Sequence, residues 1–232
     1  MICAIHQPQT YPWLGYFAKI MQSDIFVFFD DVQFKKNEYQ NRNRIKTDRG
    51  WMWLTVPVVH NFGQKINEAQ IDNKQKWKKK HLNTLITYYR KAPFFNSLFA
   101  ELKELYSRKY ELLIDFNIAT IEWILKKLKI ERKILLSSSL NYNPDQLPLS
   151  ADEKLINILK IINAETYLSG QGGKNYLNLE LFKDNGIKVI FQDFRHPVYH
   201  QLYGDFIPNL SILDLLFNEG ENSINIITKG IK

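Results

Sequence analysis

The sequence predicts an α/β protein with a mostly parallel sheet and a helical insertion, and three observations lead to this class. Near the start of the chain, short apolar segments typical of buried strands alternate with amphipathic segments typical of helices. The same alternation resumes after residue 132, and residues 74–130 between the two regions read as helical throughout. Strands that alternate with helices indicate a parallel sheet covered on both faces. We therefore expect residues 1–232 to form a single α/β domain in which 74–130 is a helical insertion or subdomain.

The first 29 residues predict a strand–helix–strand unit. Residues 2–6 read as a short buried strand, and "WLGYFAKIMQSD" reads as a helix whose apolar stripe consists of Leu14, Phe17, Ile20 and Met21. The next segment, "DIFVFFDDVQF", is apolar almost without alternation, as in a strand covered on both faces. In such a unit the turn after the first strand lies at the carboxyl edge of the sheet, where open α/β sheets bind ligands.

The middle of the chain predicts a loop, one more strand and three helices. The segment "NEYQNRNRIKTDRG" reads as a polar loop, and "WMWLTVPVV" reads as a strand with Pro57 at its edge. The helices are expected around "KQKWKKKHLNTLITYYRKA", "FFNSLFAELKELYSRKY" and "LLIDFNIATIEWILKKLKI". The first should end before Pro93 and bury Trp77, Leu82, Leu85, Ile86 and Tyr89.

The last hundred residues predict three further strands with helices between them. "KILLSSSL", "ETYLSG" and "IKVIFQDF" read as strands. The helix "SADEKLINILKIIN" begins with a capping box of Ser150 and Glu153, the helix "NLELFKDNG" is ended by Gly186, and "NLSILDLLFNEG" is the last amphipathic helix. We expect one mainly parallel sheet from residues 2–6, 25–29, 134–137, 166–168 and 188–193.

The composition indicates a soluble globular protein with an anionic partner. Lys and Arg number 31 against 24 Asp and Glu, which gives a formal net charge of +7. Cys3 is the single cysteine, so a framework of intrachain disulfides is excluded and a reducing compartment is expected. The start of the chain has no signal-peptide pattern, and no run of eighteen apolar residues occurs. We expect a cytoplasmic protein without membrane insertion, and the sequence does not indicate its oligomeric state.

The turn "HQPQ" after the first strand is the leading candidate site. His6 titrates near neutrality and is a candidate general base, while the amides of Gln7 and Gln9 suit sugar hydroxyls or base edges. Trp13 and Tyr16 begin the following helix and could form an apolar wall against a ring, or could be core residues. A turn alone would be built more simply from Gly, Asn or Asp, which favours a functional role.

Two further candidate groups follow the second strand. Asp31 and Gln33 should face one side and Asp30 the other, so Asp31 is a candidate catalytic residue and Asp30 a helix cap. The basic segment "NRNRIK" of the polar loop is a candidate phosphate site; the alternative is that its charged side chains are only exposed to solvent. Its candidate ligand-binding residues are Asn41, Arg42, Asn43, Arg44 and Lys46. No ligand set with the spacing of a metal site is present in the sequence.

Two later segments supply the remaining candidate residues that we expect at the carboxyl edge of the sheet. "LSGQGGKNY" is a Gly-rich turn in which Ser169, Gly170 and Gly172 could bind an anion or an oxyanion, or could form a tight turn only. The segment "FRHPVYHQ" supplies His200 as a second candidate acid or base, with Tyr199 and Gln201 as binding residues. The lysine-rich "KQKWKKKH" is compatible with RNA contact and also with an ordinary solvated helix face.

Seven ordered segments resemble the WbqC-like proteins, which take their name from bacterial O-antigen gene clusters. They are "IHQPQTYPWLGYFAKI", "SDIFVFFDDVQF", "NRNRIK", "WLTVPV", "KHLNTL", "YLSGQGGKNYL" and "FIPNLSILDLLFNEG", and they span residues 4–220. Thr10 and Tyr11 depart from the usual pattern before Pro12. The resemblance implies a role in surface-polysaccharide (O-antigen, lipopolysaccharide) biosynthesis and transfer of glycine to an amino sugar. It carries over no catalytic residues.

The strand, His-containing turn and helix also resemble the Rossmann-like nucleotide-binding core of HIGH-type adenylyl-forming enzymes, such as pantothenate synthetase and class I aminoacyl-tRNA synthetases. In that core a histidine or asparagine stands three positions after the first histidine, whereas this chain has Gln9 there. The likeness implies a fold, and function does not follow from it.

Three functions remain open from the sequence. The first is an acyl transferase, aminoacyl or glycyl, acting on a nucleotide-linked amino sugar, with His6 as base, the Gly-rich turn at the oxyanion or phosphate, and Arg42 and Arg44 at the diphosphate. Its donor could be an aminoacyl-tRNA or a carrier protein, and it requires no named cofactor. The second is an adenylyl-forming ligase or nucleotidyltransferase, which would use ATP and Mg²⁺. The third is a non-catalytic subunit that binds an anionic sugar nucleotide.

Overall fold

A computed structural model describes residues 1–59, 61–140 and 149–232. The strands in chain order are β1 (Ile2–His6), β2 (Ile25–Phe28), β3 (Arg42–Thr47), β4 (Gly50–Thr55), β5 (Val58–Val59), β6 (Gln70–Ile71), β7 (Lys133–Leu136), β8 (Thr166–Ser169) and β9 (Lys188–Phe191). The helices are α1 (Leu14–Met21), α2 (Trp77–Tyr89), α3 (Phe95–Ser107), α4 (Leu113–Lys127), α5 (Ala151–Ile161), α6 (Leu179–Asp184), α7 (Ile212–Glu219) and α8 (Ser223–Gly230).

The central sheet has five strands in the order β7-β2-β1-β8-β9, and every neighbouring pair is parallel. The predicted α/β class and the predicted strands of one parallel sheet are therefore confirmed. The chain moves from β1 to β2 and β7 on one side, and later continues to β8 and β9 on the other. This Rossmann-like order reverses direction between β1 and β8, which is where such sheets leave a crevice at their carboxyl edge.

Apolar layers cover both faces of this sheet. Cys3 and Ile5 of β1 pack in one cluster with Leu155 and Leu159 of α5 and Phe182 of α6. Ala4 points to the opposite face, where the larger cluster includes residues of α1, α4 and α7. The continuous apolar character of β2 follows from this arrangement, since all four of its residues are buried between the two layers.

Local signals placed several helix ends correctly. The Oγ of Ser150 accepts a hydrogen bond from the backbone N–H of Glu153 at 3.2 Å, and the Glu153 carboxylate accepts one from the Ser150 N–H at 2.7 Å. This is the predicted capping box of α5. Gly186, after α6, has a φ of +74°, a left-handed value that glycine adopts without the steric cost of a Cβ.

Several sequence interpretations were wrong in detail. Residues 42–47 form strand β3, not a loop, and pair antiparallel with β4 in a hairpin separate from the main sheet. The segment looked like a loop because its inward-facing residues include Asn43, whose buried amide donates to the carbonyl of Tyr11 at 2.8 Å. An additional helix, α8, follows α7. Ile86 of α2 is exposed, and His81 occupies the buried face instead.

The predicted helical region 74–130 contains α2, α3 and α4. His81 in α2 is a fully satisfied core histidine: its Nε2 lies 2.8 Å from the Thr55 carbonyl oxygen and its Nδ1 lies 2.9 Å from the Tyr106 hydroxyl. Burial lowers its pKa to about 4, so the ring is neutral at physiological pH. Its Nε2 bond to Thr55 ties α2 to strand β4.

Candidate functional site

Two adjoining hollows lie where β1 and β8 end. The first, of about 360 Å³, is lined from β1 by Ile5, His6 and Gln7 and from the β8 turn by Ser169 and Gly170. The second, of about 230 Å³, lies toward helix α1 and strand β9. They share four lining residues, which are His6, Lys19, Gly170 and Gly172. We call the two hollows together the β1–β8 cleft, and it occupies the position at which the sheet topology predicts a ligand.

Two larger hollows lie elsewhere. One, of about 480 Å³, is an open groove beside α2 that is lined by Lys76, Lys79 and Lys80. The other, of about 430 Å³, lies between α3 and the end of α7. Size alone does not make a site, and neither groove contains a histidine or a buried titratable side chain among its described lining residues. The β1–β8 cleft has both, so we place the candidate site there.

His6 ends β1 and is partly buried in the cleft. Its Nδ1 lies 3.1 Å from the carbonyl oxygen of Gln7, so Nδ1 is the protonated donor and Nε2 carries the lone pair. The ring makes an edge contact with Tyr16, with 4.9 Å between ring centroids. Burial and the neighbouring Lys19 lower the pKa of His6 to about 3, so its imidazole is uncharged at neutral pH.

Lys19 is the functional candidate that the sequence interpretation missed. It lies in the last turn of α1, its side chain is only 3% exposed, and it lines both hollows. Its Nζ donates to the carbonyl oxygen of Ile5 at 3.1 Å. Burial lowers its pKa to about 7. Its position among the apolar residues of "YFAKIM" was a sequence signal, since a lysine is rarely buried without a partner.

The Gly-rich turn after β8 forms one wall of the cleft. Gly170 and Gly172 have negative φ angles, and a Cβ built on either would meet no atom within 4 Å. Neither backbone conformation nor packing therefore requires glycine at these two positions. At Gly173 a Cβ would lie 2.2 Å from the Oγ of Ser169, so close packing requires glycine there. Gly170 and Gly172 line both hollows and leave this wall of the cleft without side chains.

Aromatic and amide groups line the second hollow. Trp13 and Phe194 contact each other edge to face with 5.5 Å between their ring centroids, and Tyr16 lies on the α1 side. A Cβ on Gly15 would lie 2.2 Å from the Trp13 indole, so this glycine allows the ring to fold over the start of α1. Gln192 also lines the hollow and donates from its side chain to the Gly15 carbonyl at 2.9 Å.

The "HQPQ" turn is held by hydrogen bonds to two other parts of the chain. The Gln7 side-chain oxygen accepts from the Gln40 amide at 2.8 Å. Thr10 donates from its hydroxyl to the Asn117 side chain at 2.8 Å, and the Asn117 amide donates to the Gln40 carbonyl at 2.9 Å. The side-chain oxygen of Gln9 is buried without a partner among the described residues. The turn therefore combines a structural lock at Thr10 with a cleft-lining part at His6 and Gln7.

The acidic pair after β2 is buried beside the start of a short 3-10 turn at 137–139. Asp30 accepts from the backbone N–H of Ser138 at 2.9 Å and from the hydroxyl of Ser137 at 2.9 Å, which is the capping role expected for it. Asp31 also accepts a hydrogen bond from the Ser137 hydroxyl. Gln33 is exposed, and its backbone forms an isolated antiparallel β-bridge with that of Lys65. None of the three acidic or amide side chains lines the β1–β8 cleft.

Arg42 and Arg44 lie on the β3–β4 hairpin and stack on tryptophans. The guanidinium carbon of Arg42 lies 4.0 Å from the Trp53 ring centroid, and that of Arg44 lies 5.2 Å from Trp51. Arg44 also donates to the carbonyl of Asn209 at 3.1 Å. Neither arginine lines the cleft, and the neighbouring amides have structural partners, since Asn41 donates to the Val56 carbonyl and Asn43 to that of Tyr11.

The remaining candidates belong to a buried network next to α7. Lys46 donates from Nζ to the Gln201 side-chain oxygen at 3.0 Å, and Tyr199 donates to the Asp214 carboxylate at 2.8 Å. Asp214 is fully buried, and burial raises its pKa to about 6. His200 is exposed, and its backbone N–H donates to Glu219 at 3.2 Å. These residues stabilise the segment before α7 and do not line the cleft.

The structure thus brings together some of the predicted site residues in one cleft. The predicted residues that line the β1–β8 cleft are His6, Gln7, Trp13, Tyr16, Ser169, Gly170 and Gly172. The predicted residues that lie elsewhere are Gln9, Asp31, Gln33, Asn41, Arg42, Asn43, Arg44, Lys46, Tyr199, His200 and Gln201. Within residues 1–59, 61–140 and 149–232, no group of three His, Cys, Asp or Glu side chains could hold a metal ion. In the same ranges no helix is long and apolar enough to cross a membrane.

The parallel sheet defines a Rossmann-like α/β protein, and the cleft at the reversal point of the sheet is its candidate ligand site. The chain belongs to the WbqC-like protein family, which matches residues 7–226, and the family predicted from the sequence is thereby confirmed. It is 36% identical over 221 residues to the uncharacterized protein Rv1507c of Mycobacterium tuberculosis, covering 94% of this chain and 93% of that protein. No solved structure matches the chain.

Proposed function

We propose that this protein is an acyl transferase that transfers an aminoacyl group, such as glycyl, to the amine of a nucleotide-linked amino sugar. The observation that carries the proposal is the paired form of the cleft, in which two hollows share His6, Lys19, Gly170 and Gly172. Group transfer between two substrates requires that their reacting atoms meet, and adjoining compartments with common polar residues suit that requirement. Membership of the WbqC-like family supports a role in surface-polysaccharide synthesis, in line with its name.

The chemistry assigns His6 a specific part. The sugar nitrogen attacks the acyl carbonyl carbon, the new C–N bond forms, and the bond between that carbon and the donor's leaving group breaks with its electron pair on the leaving group. The Nε2 lone pair of His6 accepts the proton that the sugar nitrogen loses, because Nδ1 already carries a hydrogen that it donates to the Gln7 carbonyl. Burial lowers the pKa of the ring, so it is neutral before the reaction and its lone pair is free, but the same shift makes it a weaker base than an exposed imidazole.

The two hollows differ in ways that suit two substrates. The second hollow has aromatic walls from Trp13, Tyr16 and Phe194, which suit a flat ring or a sugar face. The first is lined by Ser169 and the glycines of the β8 turn, which leave room for a bulky anionic group. The positive net charge of +7 favours anionic substrates in general.

The test is an acylation assay with matched donors. Purified protein is incubated with nucleotide-linked amino sugars and with glycyl-tRNA, a glycyl thioester of a carrier protein, or glycine plus ATP and Mg²⁺. Mass spectrometry should detect the amino sugar enlarged by one glycyl residue, and His6→Asn should abolish this product. Product formed only with ATP, with release of pyrophosphate, would support the adenylyl-forming alternative. Tight sugar-nucleotide binding without turnover under every donor would contradict the proposal and indicate a binding subunit.

A further inference from the structure

Lys19 has surroundings that do not match those of a structural lysine. The side chain is almost completely buried, and its one hydrogen bond goes to a neutral main-chain carbonyl, that of Ile5, at 3.1 Å. Among the described residues, no carboxylate lies within ion-pair distance of its amino group. A buried ammonium without an anionic partner is costly, because it has lost its hydration and gained no opposite charge. A buried amine of this kind in a cleft is a candidate for binding an anionic ligand, which would supply the missing charge.

None of the described titratable groups around Lys19 is a carboxylic acid. They are the thiol of Cys3, the imidazole of His6 and the phenols of Tyr16, Tyr167 and Tyr176. Burial raises the pKa of the Cys3 thiol to about 12, so it supplies no negative charge. None of these groups therefore supplies a negative charge to the amino group of Lys19.

The space beside Lys19 is kept free by residues that have no structural reason to be small. Gly170 and Gly172 line both hollows together with Lys19, and a Cβ on either would project into open space. Neither glycine needs a positive φ, so the backbone does not require glycine at either position, and both leave the wall of the cleft without side chains. The hollow of about 360 Å³ is large enough for a diphosphate next to the lysine.

We propose that the amino group of Lys19 is the cation that binds a phosphate group of the substrate in the β1–β8 cleft. The choice of phosphate rests on the proposed function, in which one substrate is a nucleotide-linked sugar. Arg42 and Arg44 do not take this part, because they stack on tryptophans of the β3–β4 hairpin. Lys19 is partly neutral in the free protein and becomes fully protonated as the phosphate binds, so ligand binding and proton uptake are coupled.

The test compares Lys19→Met with the control Lys183→Met, which removes an exposed lysine of α6. Calorimetry measures binding of inorganic pyrophosphate and of uridine diphosphate. At about pH 6, Lys19→Met should weaken binding by about 10- to 100-fold, the loss expected for a charge-assisted hydrogen bond, and Lys183→Met should not. In the absence of ligand, Lys19→Met should melt at a higher temperature than the wild type, because it removes an unpaired buried amine.

A pH series separates charge recognition from a general change of shape. Ionisation of the ligand affects both proteins equally, so the ratio of the two dissociation constants reports on Lys19 alone. The ratio should fall toward one at about pH 9, where Lys19 of the free wild type is deprotonated. A ratio that does not change with pH, or pyrophosphate binding by Lys19→Met within about twofold of the wild type, would overturn the proposal.

A second variant tests the proposal independently if Lys19→Met does not fold. A Cβ at Gly172 meets no atom within 4 Å, so Gly172→Leu, which adds a large side chain to the wall of the cleft, should fold and should lose pyrophosphate binding. Normal binding by this variant would overturn the proposal. Tighter binding of uridine diphosphate than of pyrophosphate identifies a nucleotide as the source of the phosphate, and the reverse identifies a smaller phosphate ester. Failure of the acylation assay with intact, Lys19-dependent pyrophosphate binding would contradict the proposed function alone.

Discussion

Replacing Gly173 by Ala should destabilise the protein, whereas replacing its neighbour Gly172 by Ala should stabilise it slightly. At Gly173 the new Cβ would lie 2.2 Å from the Ser169 Oγ and 3.0 Å from a methyl group of Leu177, so the turn must shift. Overpacking of this kind costs about 1–3 kcal/mol. At Gly172 no atom lies within 4 Å and φ is not positive, so Ala should add about 0.4–1 kcal/mol by restricting the unfolded chain.

The two substitutions are expected to change the free energy of unfolding in opposite directions, so comparing them tests the packing of the turn directly. For a chain of this size 1 kcal/mol shifts the melting temperature by about 2–4 °C, so the two variants should differ by at least about 3 °C. Thermal melting and urea unfolding of wild type and both variants would measure the difference. Equal melting temperatures for the two variants, or a less stable Gly172→Ala, would show that the Gly-rich turn is not packed as described and that its open side is not at Gly172.

Three other predictions concern the turn and the core. His6→Ala should melt close to the wild type yet lose about 10²–10⁴-fold in transfer rate, and an active His6→Asn would contradict its role as proton acceptor. Asn117→Ala should lower the free energy of unfolding by about 0.5–1.5 kcal/mol, because the Thr10 hydroxyl and the Gln40 carbonyl each lose one hydrogen bond while keeping the one between them; an unchanged urea midpoint would contradict a structural role of Asn117. Burial lowers the pKa of His81 to about 4 in the folded protein, whereas in the unfolded chain it is about 6.5. Between these values only the unfolded state takes up the proton, so stability falls as the pH drops from about 6.5 to 4. In that window the free energy of unfolding of His81→Gln should depend on pH less steeply than that of the wild type, by about 1.4 kcal/mol per pH unit. The same pH dependence in both proteins would exclude His81 as the cause.

The candidate site could be predicted from the sequence only where position along a strand was enough. His6, Gln7, Ser169 and Gly170 follow the ends of two strands, and parallel strands bring their carboxyl ends to one edge. Arg42 follows a strand as well, but the chain between β2 and β7 leaves the sheet to form a hairpin, and the arginine goes with it. Proximity in sequence to a strand end was therefore a poor guide wherever a second substructure intervened.

The sequence by itself determined the five-stranded parallel sheet, the three helices of the middle region and the caps of α5 and α6. These features depend on signals within a few residues: continuous apolar runs, helical periodicity and a capping box. Only the tertiary structure decided which polar side chains meet. The amine of Lys19 donates to a carbonyl fourteen positions earlier, at Ile5, and Arg44 donates to that of Asn209, which is 165 positions away. Such contacts depend on how whole elements pack, and the free energy of burying a charge depends on what surrounds it, so no local pattern specifies them.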